Sequence, residues 1–215
     1  MRLYSYWQSS SAWRVRIALA YKGLAYETVA VDLRAGGQDD PAYARRNPLR
    51  QVPALEWEQD GRVTLVSQSL AIIELLEEQH PDPPLLPRDP VGRAQARELA
   101  EIVNAGTQPF QNLSFLAHLE REHGIEPRGF AQRFIRRGLG ALEERASRCA
   151  GRHLVGDQVS VADLYLVPQL DVSRRMEVDL APFPTLVRCD EVAGKLPAFD
   201  AARPERQPDA PEQKE

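Results

Sequence analysis

Between residues 80 and 90 the chain reads His-Pro-Asp-Pro-Pro-Leu-Leu-Pro-Arg-Asp-Pro, a stretch that neither a helix nor a central strand can run through. Proline has no amide donor, fixes its own φ and restricts the residue before it, so this segment is a stiff connector. The two sides of it differ in kind. Before it, short aromatic or β-branched runs alternate with helical ones; after it, apolar residues recur at helical spacing almost throughout. The expected division is an α/β domain over 1–80, a linker over 81–90 and an all-helical domain over 91–202. A flexible tail is expected over 203–215, which is rich in proline and charge.

The first domain opens with a strand-like Arg2-Leu3-Tyr4-Ser5-Tyr6, followed by Trp7-Gln8-Ser9-Ser10-Ser11-Ala12-Trp13 and the apolar positions Val15, Ile17, Ala18 and Leu19 of a helix that Gly23 can close. Three consecutive serines thus stand between a strand and a helix. Taken alone they cap the helix and soften a turn. The free amides and dipole of the helix also favour negative charge in front of it, such as a thiolate. Further on, Asn47-Pro48-Leu49-Arg50-Gln51-Val52-Pro53-Ala54-Leu55 places a proline directly before a strand, where a cis Val52–Pro53 bond would turn the Val52 amide and carbonyl outward toward an extended peptide. Val66-Ser67-Gln68-Ser69 then precedes the helical run Leu70 to Leu76, giving a second helix N-terminus suited to a carboxylate.

In the second half, Val91 to about Arg121 reads as one long helix bent near Pro109. Phe130 to Cys149 reads as another, with Phe130, Phe134, Ile135, Leu139 and Leu142 inward. Ser160-Val161-Ala162-Asp163 has the form of a capping box ahead of Leu164 to Val167, with a structural role. The 27 Lys and Arg are mixed with 31 Asp and Glu for a net charge of −4, which argues against a nucleic-acid surface. No run approaches the roughly 20 apolar residues of a membrane span, and the chain starts with no basic segment followed by an apolar one; a cytoplasmic protein is expected. The two cysteines, Cys149 and Cys189, have no metal-ligand or Cys-x-x-Cys spacing, and His80, His118, His123 and His153 are scattered, so no metal site is predicted.

The order of the first domain is strand, helix, strand, short helix, proline, strand, strand, helix, and it resembles the thioredoxin-like domain of cytosolic glutathione transferases. Ser9-Ser10-Ser11-Ala12-Trp13-Arg14-Val15-Arg16, Gln51-Val52-Pro53, Gln68-Ser69, Gln108-Pro109-Phe110-Gln111-Asn112-Leu113 and the tail Arg206-Gln207-Pro208-Asp209-Ala210-Pro211 are similar to the zeta class. The resemblance covers residues 1 to about 211 and implies a thioredoxin-like domain joined to an all-helical one. It further implies a glutathione cofactor, a homodimer and isomerisation of maleylacetoacetate to fumarylacetoacetate in tyrosine and phenylalanine breakdown. Maleylpyruvate isomerisation, transfer to small haloacids or electrophiles, and glutathione binding without chemistry are the alternatives. The zeta pattern Ser-Ser-Cys is here Ser-Ser-Ser: Ser11 replaces the cysteine, so chemistry that needs a protein thiol at that place is excluded, haloacid turnover is put in question, and glutathione binding need not suffer.

Carried over by resemblance, Ser9 faces the glutathione sulfur, and Ser10 and Ser11 complete the turn. Val52, ahead of Pro53, pairs with the cysteinyl backbone, while Gln68 and Ser69 hold the γ-glutamyl carboxylate. Gln108, Asn112 and Ser114 approach glutathione or substrate from the helical domain, and Gln38 is a looser match. Arg14 and Arg175 are candidates for an acidic substrate, the other reading of helical arginines being a solvated or salt-bridged face. A thiolate that adds to a conjugated cis alkene makes the bond rotatable and then leaves. A free thiol is only about 3% ionised at pH 7, so the protein's task is to keep that sulfur ionised.

Overall fold

A computed structural model describes residues 1–211. The chain divides into two compact units, residues 1–83 together with 196 onward, and residues 84–195.

In the first unit β1 (Arg2–Ser5) leads into α1 (Ser10–Tyr21), and β2 (Glu27–Ala30) follows. A 3₁₀ turn (Gly37–Asp39) and α2 (Pro41–Arg46) precede β3 (Ala54–Gln59), β4 (Arg62–Ser67) and α3 (Ser69–Gln79). The sheet order is β2-β1-β3-β4, with β1 parallel to β2 and antiparallel to β3, and β4 antiparallel to β3. The parallel pair needs a crossover, and α1 supplies it. β3 and β4 meet through Asp60 and Gly61, both at positive φ (53° and 72°), as a tight hairpin demands.

Residues Ala12 to Leu19 of α1 are buried without a break, so this helix has no solvent face. It ends as its glycine predicts. Gly23 at φ 66° donates to the Ala20 carbonyl and Leu24 to that of Leu19, the paired bonds of a Schellman cap. The Lys22 ammonium, its side chain fully buried, donates to Glu77 Oε2 (2.7 Å) and to the carbonyls of His80 (2.6 Å) and Pro83 (2.9 Å), which fastens α1 to the end of α3. Leu3, Ile17, Leu55, Ile72 and Leu76 form the core around these elements.

The second unit is helical: α4 (Pro90–Asn104), a 3₁₀ segment (Gln108–Gln111), α5 (Leu113–His123), α6 (Pro127–Ala146), α7 (Val161–Arg175) and α8 (Pro184–Ala193). The single bent helix expected over 91–121 is instead two helices. Pro109 cannot donate to the ladder, and Asn112 starts the second helix by accepting from the Ser114 amide at 3.0 Å. Of the residues expected inward on α6, Ile135, Leu139 and Leu142 are buried. Phe130 and Phe134 are half-buried; Phe134 stacks on Phe110 and meets Phe130 at a tilt. The capping box is present: the Asp163 carboxylate accepts from the amides of Ser160 (2.8 Å) and Leu154 (3.0 Å) and sits fully buried at the start of α7.

The segment after residue 195 returns to the first unit rather than finishing the helical one. There α9 (Pro197–Ala201) packs on α1 through the buried Phe199, and a 3₁₀ turn (Pro204–Arg206) follows. The tail expected to be flexible is docked as far as it is described. Gln207 donates to the carbonyls of Ala201 and Arg203, and Asp209 accepts from the Trp7 amide at 2.8 Å. Residues 212–215 of that tail lie outside the described residues.

Candidate active site

Strand register explains why residues far apart in sequence meet. Tyr4 of β1 lies opposite Ala54 of β3, and Ala54 lies opposite Ser67 of β4. Because β3 runs against both neighbours, its beginning and their ends share one edge of the sheet. The chain leaving β1 toward Ser9, the Val52–Pro53 turn entering β3, and the Gln68–Ser69 step leaving β4 therefore emerge side by side. β2, parallel to β1, ends at the same edge, and Arg34 from the loop after it donates to the Gln8 side chain at 2.9 Å.

At this edge Ser9 caps α1. Its Oγ accepts from the Ala12 amide at 3.2 Å, its amide donates to the Tyr6 carbonyl and its carbonyl accepts from Trp13. The cap uses the oxygen's lone pair, which leaves the hydroxyl proton to donate elsewhere. Ser10 and Ser11 are the first two residues of the helix, half-buried, and the first turn holds no acidic residue that would offset the dipole. The three hydroxyls and the first-turn amides make a place for an anion.

The Val52–Pro53 bond is cis, as its position suggested. Asn47 and Tyr43 both donate to the Gln51 carbonyl just before it, at 2.7 and 2.5 Å, and burial raises the Tyr43 phenol above its ordinary pKa. Val52 itself lies ahead of the β3 ladder, which starts at Ala54. At the next strand end Gln68 is exposed with φ 74° and ψ 121°, a conformation that costs about 1–3 kcal/mol for a residue with a side chain and that clusters at ligand clamps. Ser69 beside it is buried, and its Oγ accepts from Arg14 Nη1 at 3.3 Å. Gln38, in the 3₁₀ turn after β2, has its side-chain amide on Asp39 at 3.2 Å and its Oε1 buried without a hydrogen-bond partner among the described residues.

In the helical unit Gln108 opens the 3₁₀ segment and is half-buried. Ser114 donates its hydroxyl to Asn112 Oδ1 at 2.7 Å, so these two are already bonded to each other. Two buried amides fix this segment: Gln111 and Gln169 of α7 exchange bonds of 2.9 and 3.0 Å. Arg175, six residues further along α7, pairs with Asp171 at 2.9 Å and keeps 41% of its side chain exposed.

Two family models match the chain, one described as the N-terminal domain of glutathione S-transferase over residues 1–78 and one as its C-terminal domain over residues 131–189. The maleylacetoacetate isomerase of Mus musculus is 46% identical over 211 residues, 97% of this chain and 94% of that protein. The chain belongs to the zeta class of the glutathione S-transferase family. Among solved structures, the maleylacetoacetate isomerase of Anaeromyxobacter dehalogenans 2CP-1 with bound GSH is 57% identical, with TM-score 0.91 and coverage of 98% of this chain and 97% of that one. The same enzyme with bound dicarboxyethyl glutathione and citrate has TM-score 0.91 at 56% identity. A maleyl pyruvate isomerase described as a bacterial glutathione S-transferase in zeta class has TM-score 0.92 at 39% identity, covering 98% and 100% of the two chains.

Within this zeta-class fold Arg14, a candidate for the acidic substrate, lies away from solvent. It is completely buried inside α1, and its Nη1 donates to the Ser69 hydroxyl at the start of α3. Arg16, two residues on and part of the same family pattern, holds the chain that leads into the serine turn. Its guanidinium donates to Ser5 Oγ (3.1 Å) and to the carbonyls of Tyr6 (3.3 Å), Trp7 (3.0 Å) and Ala202 (3.2 Å), and burial lowers its pKa to about 10. The signal for both was available in the sequence. A helix apolar on every side can carry an arginine only if buried acceptors await it.

Proposed function

We propose that this protein is a glutathione-dependent cis–trans isomerase of maleylacetoacetate. The observation that carries the proposal is the single sheet edge at which a serine turn, the Val52–Pro53 turn and the Gln68–Ser69 helix start emerge together. That donor set fits a γ-glutamyl-cysteinyl-glycine tripeptide. Val52 offers main-chain groups outside the ladder for the cysteinyl amide, Ser69 and the first turn of α3 would receive the γ-glutamyl carboxylate with Gln68, and Ser9 would face the sulfur.

When bound, glutathione supplies a thiolate that adds to the cis double bond, frees it to rotate and departs. The protein's share is electrostatic and positional. The Ser9 hydroxyl donates toward the sulfur position, and the unopposed N-terminus of α1 favours charge there. Ser11 stands where the family pattern has cysteine. The chain's two cysteines are both in the helical unit, Cys189 buried with its thiol pushed up to about 11 by burial. The serine turn thus carries no thiol of its own. Arg175 at the end of α7 is the proposed partner of a substrate carboxylate, with Gln108, Asn112 and Ser114 as further polar contacts from the helical unit. A homodimer working in the cytoplasm completes the reading; among the described residues no helix is long and apolar enough to cross a membrane.

The test is turnover of maleylacetoacetate and of maleylpyruvate by purified protein, each with and without glutathione. Glutathione-dependent isomerisation of maleylacetoacetate is expected. Turnover of maleylpyruvate in its place would move the assignment to the shorter diacid, and glutathione binding without turnover of either would leave a binding protein. Glutathione at a hundredfold excess over Kd should stabilise the fold by about 2.7 kcal/mol, so a melting temperature unmoved by millimolar glutathione would contradict the whole proposal.

A further inference from the structure

The peptide just ahead of the serine turn is gripped from two directions. Trp7, two residues before Ser9, gives its carbonyl to Arg16 Nη2 at 3.0 Å and its amide to Asp209 Oδ2 at 2.8 Å. The Tyr6 carbonyl takes Arg16 Nη1 at 3.3 Å and the Ser9 amide at 2.9 Å. The main-chain groups that set the direction of the chain into α1 are thus bonded to a guanidinium of α1 itself and to a carboxylate 202 residues away.

Asp209 is itself held in place. The Ala210 amide donates to the Gln207 carbonyl at 3.0 Å, closing a turn with Pro208 and Asp209 at its centre, and Gln207 is anchored by its side chain to the carbonyls of Ala201 (3.2 Å) and Arg203 (2.8 Å). Arg16 donates to the Ala202 carbonyl, at the end of α9, at 3.2 Å. Docking a tail needs only apolar contact, and Phe199 and Ala202 already supply that. A carboxylate aimed at one amide of the loop before the serines does something more specific. It fixes the rotation of the Trp7 peptide and, through the Ser9–Tyr6 bond, where the Ser9 hydroxyl points.

We infer that Asp209 is a positioning residue of the serine turn, and that the C-terminal segment is there to hold the Ser9 hydroxyl against the sulfur position. This rests on the proposed role of Ser9 toward glutathione. A hydroxyl moved by a few tenths of an ångström keeps the site's affinity and loses the alignment that holds the thiol ionised, so the effect falls on the chemical step.

Asp209→Ala removes the acceptor, and Asp209→Asn keeps an acceptor oxygen in the same place without the charge. Three readings are taken on the wild-type protein and both variants: thiolate absorbance of bound glutathione against pH, kcat and KM for the diacid at saturating glutathione, and hydrogen exchange at the Trp7 amide. Asp209→Ala should speed exchange at Trp7, raise the bound thiol's pKa by about one unit and lower kcat at pH 7 on the order of tenfold, with KM within about twofold. Asp209→Asn should return most of the loss. Faster exchange at Trp7 with wild-type thiol pKa and kcat would make Asp209 a mere tail anchor and overturn the inference. If Asp209→Ala does not fold, Asp209→Glu takes its place: it keeps the charge and displaces the oxygen by a methylene, and kinetics equal to those of Asp209→Asn would overturn the inference. A wild-type protein that binds glutathione without lowering its thiol pKa would overturn the role of Ser9 first, and this inference with it.

Discussion

Ser9→Ala separates two roles that one hydroxyl performs. As the cap of α1, Ser9 Oγ accepts from the Ala12 amide at 3.2 Å, and losing a cap of this kind costs about 1 kcal/mol of stability. As donor to an ionised sulfur it would make a charge-assisted bond worth about 1.5–3 kcal/mol. At 1.36 kcal/mol per unit, that energy holds the thiol pKa roughly one to two units below where it would otherwise lie. The variant should therefore lose about 1 kcal/mol in urea unfolding, while its turnover at pH 7 drops about ten- to a hundredfold. Raising the pH should recover much of the rate, because a thiol with a higher pKa ionises once the medium allows it. Ser9→Gly is the control, since glycine at an N-cap costs only a few tenths of a kcal/mol and brings no side-chain donor. It should keep the stability and share the kinetic defect. Turnover of Ser9→Gly equal to wild type at pH 7 would show that Ser9 is a cap alone, and the ionising hydroxyl would then be sought at Ser10 or Ser11.

Asp163→Ala strands the buried amides of Ser160 and Leu154, each costing about 1–3 kcal/mol, so urea denaturation should show a loss of at least about 2 kcal/mol while kcat per folded molecule stays unchanged. Arg14→Gln should weaken glutathione binding, because the bond from Arg14 Nη1 to Ser69 is lost, and leave KM for the diacid at saturating glutathione unaltered; a raised diacid KM alone would make Arg14 a substrate group. Arg175→Ala breaks a half-exposed pair with Asp171 and should cost at most about 1 kcal/mol of stability, yet lower kcat/KM for the diacid by about 2 kcal/mol or more, with Arg175→Lys in between. Full activity of Arg175→Ala would remove the clamp from the proposal.

What could be read in the sequence is what is decided locally. A serine before a helix, a proline at the mouth of a strand, Gly23 after an apolar run and an aspartate three residues into a cap each announce their conformation through bonds within a few residues. The break between α4 and α5 was local too, and Pro109 with Asn112 carried it; helical spacing on both sides hid it, because periodicity does not register one missing turn. The arginines of α1 were harder. A guanidinium on a helix reads by default as surface, and the one sequence signal against that, apolar residues on every side of α1, does not say which acceptors await: Ser69 for Arg14, and the carbonyls of Tyr6 and Trp7 for Arg16. The docked tail was out of reach for a different reason. Residues 203–211 have the composition of a disordered end, and order there comes from local bonds of Gln207 to the carbonyls of Ala201 and Arg203 together with one distant bond, from the Trp7 amide to Asp209. Such a segment has little energy of its own to lose. Substitution of Asp209 should therefore leave melting nearly untouched and report through the Trp7 peptide, two residues ahead of Ser9.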